Sequence, residues 1–160
     1  MNAEKKETFS PNSGIYVLAI EAKKPFKTGI KKYERLVFQP GWYYYAGSAQ
    51  KNLRQRLARH IRKDKKIHWH IDHITTVPSN KVEHILLLKD APKEIECELA
   101  NYFEKQLKLD SSIQGFGNSD SNCSSTHLFY SKKKIDYSHL FSLYQSTVLL
   151  MPSGIDISDS

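Results

Sequence analysis

The sequence predicts a domain of the α/β (α+β) class, in which a three-stranded antiparallel sheet is flanked by helices. Two observations lead to this class. β-branched and aromatic residues fill two short segments, 14–22 and 42–46, as expected of strands. A helical pattern follows at once, because Leu53, Leu57 and Ile61 are spaced to form one apolar stripe. The 160 residues suffice for one domain with a buried core.

The first part of the chain is predicted to be a meander. Residues 14–22 are apolar on both faces, which is typical of a central strand. Residues 30–39 alternate well enough to predict a second strand, and Pro40-Gly41 turns the chain into the third, 42–46. The sheet is therefore expected to open with three antiparallel strands.

The rest of the chain predicts mainly helices. The first helix begins after Asn52, and the further elements are a short helix at 68–74, an extra strand at 82–88, a helix at 94–107 and a closing strand at 127–130. Residues 137–151 are apolar enough for a helix or a strand, and the pattern leaves both open. We expect a mobile arm over 1–13, a domain over 14–130, and an extension over 131–160 that packs on the domain and ends in a disordered tail.

Composition favours a polyanionic partner. The net charge is +7, and the cations cluster on the first predicted helix, which is typical of proteins that bind nucleic acid, although basic surfaces also serve solubility alone. No apolar run is long enough to span a membrane, so we expect a cytoplasmic protein without a membrane partner. Because no secretion signal is visible, we expect Cys97 and Cys123 to be reduced thiols rather than one disulfide.

A candidate site lies where the aromatic strand meets the arginine-rich helix. Tyr16 and Tyr45 are expected on neighbouring strands, with Gly47 and Arg56 just beyond them. Each tyrosine alone is as well explained as a half-buried strand residue. Together with Arg56 they suggest a phenol whose pKa is lowered by a cation and which accepts a proton from water. Gly47 would allow close approach of a ligand.

The motifs in this region resemble those of a known family. Gly14-Ile15-Tyr16 and Tyr45-Ala46-Gly47 resemble the paired signature of the GIY-YIG nuclease superfamily. A wider set of blocks, spread over about residues 14–129, resembles more narrowly a small prokaryotic branch, the Uri-type endonucleases. These blocks are Tyr45-Ala46-Gly47-Ser48-Ala49, Arg59-His60, Trp69-His70-Ile71-Asp72, Glu96-Cys97 and Gly115-Phe116-Gly117.

The resemblance implies a metal-dependent endonuclease that hydrolyses DNA phosphodiester bonds. Tyr16 would be the general base or orient the attacking water, and Tyr45 would bind the water or the phosphate. Gly47 would keep the strand exit open, Arg56 would stabilise charge on the scissile phosphate, and His60 would assist Tyr16 or contact phosphate. The alternative is a catalytically inactive module that binds nucleic acid through the same basic surface.

The resemblance also implies a divalent metal, Mg²⁺ or Mn²⁺, held by one carboxylate of a later helix. Glu96 is the expected ligand and Glu98 the substitute, although either is also explained as part of a solvated helix face. Zinc is not expected, because the closed cysteine pairs typical of zinc sites are missing.

Five further residues are expected to contact nucleic acid. They are polar or basic and lie on the first helix, on the short second helix or in the later loop: Arg54, Arg59, Lys63, His70 and Asn118. His70 and Asp72 are also expected to form a hydrogen-bonded support behind the first helix.

Overall fold

A computed structural model describes residues 12–117 and 124–156 of the protein. Its strands are β1 (Gly14–Ala22), β2 (Gly41–Ala49), β3 (Asn80–Lys89), β4 (Leu128–Ser131) and β5 (Thr147–Leu150). They form one open sheet in the order β4-β2-β1-β3-β5, and each neighbouring pair is antiparallel. The α/β class with an antiparallel sheet is confirmed, but the sheet has five strands rather than three.

Helices cover the sheet. They are α1 (Leu53–Ile61), α2 (Asp72–Thr75), α3 (Glu94–Asn101), which continues as a π-helical turn over Tyr102–Gln106, and α4 (Ser138–Leu143). Short 3-10 turns lie at Lys31–Tyr33 and Pro152–Gly154. Over residues 12–117 and 124–156, none of these helices has the length and apolar character needed to cross a bilayer.

β1 is the central strand, as its sequence predicts, and every residue in it except Glu21 is buried. Its alternate residues face opposite sides of the sheet. One side packs against the apolar stripe of α1 and against α2, and the other against α3 and α4. Both faces of β1 are covered, and the strand pairs in register with β2 on one side and with β3 on the other.

The predicted strand at residues 30–39 is wrong. This stretch forms the 3-10 turn and a loop, and within residues 12–117 and 124–156 its one bridge pairs Phe38 with Phe26. Tyr33 and Phe38 are buried, whereas Leu36 and Val37 are exposed, so the apolar residues do not alternate between a buried and an exposed face. The buried apolar residues of the segment anchor a loop. Their composition resembles that of a strand, which explains the wrong prediction.

The segment 137–151, for which a helix or a strand remained open, contains both. α4 covers one face of the sheet, and β5 then pairs with β3 as the fifth strand. β5 is short and only Thr147 in it is buried, so its sequence carries no clear signal of alternation. The C-terminal part of the described chain is thus hydrogen-bonded into the sheet.

The expectation of a reduced thiol is wrong for Cys97, which is disulfide-bonded. Cys97 lies in α3, next to Glu96. The other cysteine of the chain, Cys123, lies outside the described residues, as do residues 1–11 of the predicted arm.

Candidate active site

A cavity of about 400 Å³ opens at the end of the sheet where β1 begins and β2 ends. We call it the tyrosine cavity. Its walls come from β1, β2, α1, the segment before α2 and the first turn of α3. It brings together all the residues for which the sequence suggested a catalytic role: Tyr16, Tyr45, Gly47, Arg56, His60 and Glu96.

Glycines make room for both tyrosine rings. Gly47 lies opposite Tyr16 in the β1–β2 register, and a Cβ added to it would lie 2.5 Å from Cζ and 2.6 Å from Oη of Tyr16. A Cβ at Gly117, whose φ is +70°, would lie 2.8 Å from Cε1 of Tyr45. The sequence suggested that Gly47 gives space to a ligand, but in the structure the Tyr16 ring fills that space.

Tyr16 is a neutral phenol near pH 7. Its side chain is buried, and its Oη lies 2.8 Å from Nε2 of His60. Burial raises the pKa of Tyr16 to about 12, although the nearby Arg56 guanidinium acts in the opposite direction. Burial also raises the pKa of Tyr45, and the neighbouring Tyr16 adds to this effect. The prediction of a lowered phenol pKa is therefore wrong.

His60 is a neutral imidazole. It is 1% exposed and lies among the rings of Tyr16, Tyr45 and Trp69. Burial lowers the pKa of His60 to about 3, and the positive charge of Lys65 contributes to the same shift. Its Nδ1 has no hydrogen-bond partner among the described residues, so Tyr16 is the one polar side chain to which His60 is bonded there.

This burial predicts a loss of stability in acid that depends on His60. The folded pKa of about 3 lies below the ordinary 6.5, so the unfolded chain binds the proton more readily. The His60 contribution is therefore complete above pH 6.5 and is lost as the pH falls toward 3, by on the order of 5 kcal/mol in total. We expect His60→Gln to flatten the decline in unfolding free energy between pH 6.5 and 4, measured by denaturant titration. The exposed His139→Gln is the control, and equal slopes in all three proteins would contradict the prediction.

Arg56 is held at the cavity from two directions. Its Nη1 donates to the carbonyl of Ser48 at 3.1 Å, and its guanidinium lies 4.6 Å from the centre of the Trp69 ring. The guanidinium of Arg59 lies at the same distance from that ring. Stacking on an aromatic ring restricts the long arginine side chain. Arg56 therefore presents its remaining donors to the cavity and loses little further conformational freedom when a ligand binds.

Asp72 anchors the wall that carries Trp69. Its carboxylate is fully buried and accepts hydrogen bonds from Nη1 and Nη2 of Arg59, at 3.0 and 2.9 Å. It also accepts hydrogen bonds from the backbone N–H groups of His68 and Trp69, at 2.8 and 2.9 Å. Lys65 lies 3.7 Å away. Burial opposes ionisation, but these hydrogen bonds outweigh it and lower the pKa of Asp72. The predicted support behind the first helix is confirmed for Asp72.

The residues expected to contact nucleic acid lie in different settings. Arg59 is bound to Asp72, and Nζ of Lys63 donates to three carbonyls between α2 and the start of β3. His70 lines the tyrosine cavity, where its Nδ1 accepts from the N–H of Gly117 at 3.3 Å. Arg54 is exposed on α1, and Asn118 lies outside the described residues. Their contacts with nucleic acid stay predictions.

The structure separates the two candidate metal ligands. Glu96 lines the cavity with a side chain that is 12% exposed, and its Oε2 lies 3.1 Å from Nδ1 of His127. Glu98 lies outside the residues that line the cavity, and its Oε1 accepts the hydroxyl of Tyr144 at 2.8 Å. Glu96 is thus the carboxylate that faces the two phenols and Arg56.

The cavity suits an ion that needs few protein ligands. Within residues 12–117 and 124–156, no three His, Cys, Asp or Glu side chains are grouped so that they hold a metal among them. Mg²⁺ in enzymes keeps several waters and is often bound by one or two carboxylates together with substrate phosphates. The partly buried carboxylate of Glu96, which lines the open cavity, fits such an ion.

Several further residues contribute to the cavity. Lys93 and Gln50 add polar groups to the wall, and Trp69 orders Arg56. His127 lies beside Glu96. Only Trp69 lay within a recognised block; the others come from positions far apart in sequence, where no local pattern marks them.

The fold and the site define a single-sheet α/β protein with a cavity, lined by ionisable side chains, at one end of its central strands. The chain belongs to the family described as "Domain of unknown function DUF123", whose model matches residues 15–149. It matches no curated protein and no solved structure. The family match spans the sheet from β1 to β5, so the C-terminal strand belongs to the matched region.

Proposed function

We propose that the protein is a metal-dependent endonuclease of the GIY-YIG superfamily, in its Uri-type branch, that hydrolyses phosphodiester bonds of DNA. One observation carries the proposal: the paired tyrosines, Arg56, the His60 imidazole and the Glu96 carboxylate meet in one open cavity. They come from two strands and two helices. Hydrolysis of a phosphodiester needs a proton acceptor, a cation for the phosphate and a carboxylate for a metal, and this set provides all of them.

Tyr16 and His60 act together on the attacking water. Both are neutral near pH 7, because burial raises the pKa of Tyr16 to about 12 and lowers that of His60 to about 3. When His60 carries its proton on Nδ1, the Tyr16 hydroxyl donates to Nε2 of His60, and a lone pair of the phenol oxygen is left for a water in the cavity. As the water attacks, the phenol oxygen takes its proton while the phenol proton moves to His60.

Arg56 and Glu96 act on the phosphate. The guanidinium of Arg56 donates to the non-bridging oxygens, where negative charge grows during the attack. Glu96 holds the divalent cation, Mg²⁺ or Mn²⁺, which when bound polarises the phosphate and stabilises the leaving oxygen. Tyr45, on the same face as Tyr16, binds the phosphate or the water, and exposed cations such as Arg54 contact the flanking backbone.

The role of Glu96 is tested by comparing glutamates of one helix. We expect wild-type protein to cut labelled single- or double-stranded DNA only when Mg²⁺ or Mn²⁺ is added. Glu96→Gln should lose this activity by at least about 100-fold and keep most DNA binding, because it removes a charge without changing the size of the side chain. Glu98→Gln and Glu94→Gln, which change exposed residues of the same helix, should cut like wild type.

A binding module without catalysis is the second candidate, and one observation favours it. Tyr16 is 2% exposed and its pKa is raised, so it lacks the activated phenol expected of a strong base. This candidate also predicts salt-dependent binding of DNA, since phosphate contacts release counterions. If DNA and RNA both stay intact with either metal while binding persists, the endonuclease is wrong and the binding module is right.

A further inference from the structure

His127 has no part in the reaction above, yet it adjoins Glu96 deep in the tyrosine cavity. It is 1% exposed and immediately precedes β4. Its backbone is fixed on both sides, since its N–H donates to the carbonyl of Phe116 at 2.9 Å and its carbonyl accepts from Ala46 at 3.1 Å. The ring is therefore held against the wall of the cavity by the sheet itself.

Both ring nitrogens of His127 lack a hydrogen-bond partner among the described residues. A buried polar atom without a partner costs about 1–3 kcal/mol, so folded proteins rarely keep two of them on one side chain unless something else occupies the place. Glu96 and His127 both line the cavity. The unpaired imidazole thus borders the tyrosine cavity.

The side chains of His127 and Glu96 are arranged like two adjacent ligands of one metal ion. Nδ1 of His127 lies 3.1 Å from Oε2 of Glu96, but the ring nitrogen is not aligned for a hydrogen bond to that oxygen. A bonded pair would point the nitrogen at the oxygen. Two adjacent ligands of an octahedral ion at about 2.1 Å lie about 3.0 Å apart, and each points at the ion rather than at the other.

We propose that His127 and Glu96 together form a two-ligand site for a divalent cation, which selects Mn²⁺ over Mg²⁺. This rests on the proposed function in one respect, that Glu96 holds the metal. Magnesium prefers oxygen ligands, whereas imidazole suits the first-row transition ions. A site with one imidazole and one carboxylate, completed by water and by a phosphate oxygen of the DNA, therefore favours manganese.

The metal preference is measured by binding without DNA. Free Mn²⁺ is followed by electron paramagnetic resonance, and Mg²⁺ is added as a competitor. His127→Phe keeps a ring of similar shape but removes both nitrogens. We expect it to weaken Mn²⁺ binding by about 10–100-fold while Mg²⁺ binding changes by less than about 3-fold. Glu96→Gln should weaken both, and the exposed His139→Gln should change neither.

A second measurement gives its first answer on the wild-type protein. Electron spin echo modulation of Mn²⁺ bound to the wild-type protein should show coupling to an imidazole ¹⁴N, and this coupling should be missing in His127→Phe. No ¹⁴N coupling in the wild type, coupling that persists in the variant, or an equal loss of Mn²⁺ and Mg²⁺ affinity would each overturn the proposal.

The same experiments separate this site from the proposed endonuclease. Mn²⁺ bound with ¹⁴N coupling by a protein that cuts no nucleic acid would support the metal site and reject the endonuclease. Cleavage that requires Glu96, by a protein whose Mn²⁺ shows no ¹⁴N coupling, would support the endonuclease and reject the role of His127.

Discussion

Arg56→Ala is expected to lower the rate of metal-dependent DNA cleavage by about 10³-fold. The guanidinium is fixed by the carbonyl of Ser48 and by the Trp69 ring, so it is already ordered before a phosphate arrives. It also reduces the cost of negative charge near Tyr16, whose pKa it lowers against the larger effect of burial. Alanine removes both effects. The change should appear in single-turnover rates at saturating protein.

Two further variants serve as controls for this result. Lys51→Ala removes an exposed positive charge just before α1 and should lower DNA binding slightly without slowing the chemical step. Arg56→Lys should recover only part of the rate, because an ammonium group neither stacks on Trp69 as a guanidinium does nor binds a phosphate through two parallel hydrogen bonds. A folded Arg56→Ala protein that cuts DNA at the wild-type rate would remove Arg56 from the mechanism.

The sequence predicts well what depends on neighbours along the chain. The apolar run of β1 and the stripe of Leu53 and Leu57 on α1 correctly predict which faces are buried. Tyr16 and Gly47 meet because β1 and β2 pair directly, whereas the predicted meander would have placed the strand at 30–39 between them. The position of Arg56 follows, because α1 begins four residues after β2 ends.

What the sequence does not predict depends on packing between distant segments. The pKa of Tyr16 is set by complete burial under α1, and counting nearby cations gives the opposite direction. The closeness of His127 to Glu96 brings together residues that are far apart in the sequence. Residues 30–39 show the same limit, because a loop anchored by Tyr33 and Phe38 has the composition of a strand without its pairing.

Asp72→Asn is expected to lower the free energy of unfolding by about 3 kcal/mol. The substitution keeps the size of the side chain but removes its charge. It leaves Arg59 and the nearly buried Lys65 without their counterion, and it turns an NH₂ group toward donors that needed an acceptor. Urea unfolding followed by circular dichroism measures the loss, with the exposed Asp64→Asn of the same segment as control, expected within about 0.5 kcal/mol of wild type.

The pH dependence separates this charge effect from simple loss of packing. Hydrogen bonds hold the pKa of Asp72 below its ordinary value of 3.8, so its contribution is complete above that pH and is lost as the pH falls through the folded pKa. The difference between wild type and Asp72→Asn should therefore be constant from pH 7 to 5 and shrink below pH 3.8. A difference that stays constant into strong acid would show that packing, not charge, holds the Trp69 wall. Because Trp69 orders Arg56, loss of the Asp72 anchor should also slow cleavage in protein that is still folded.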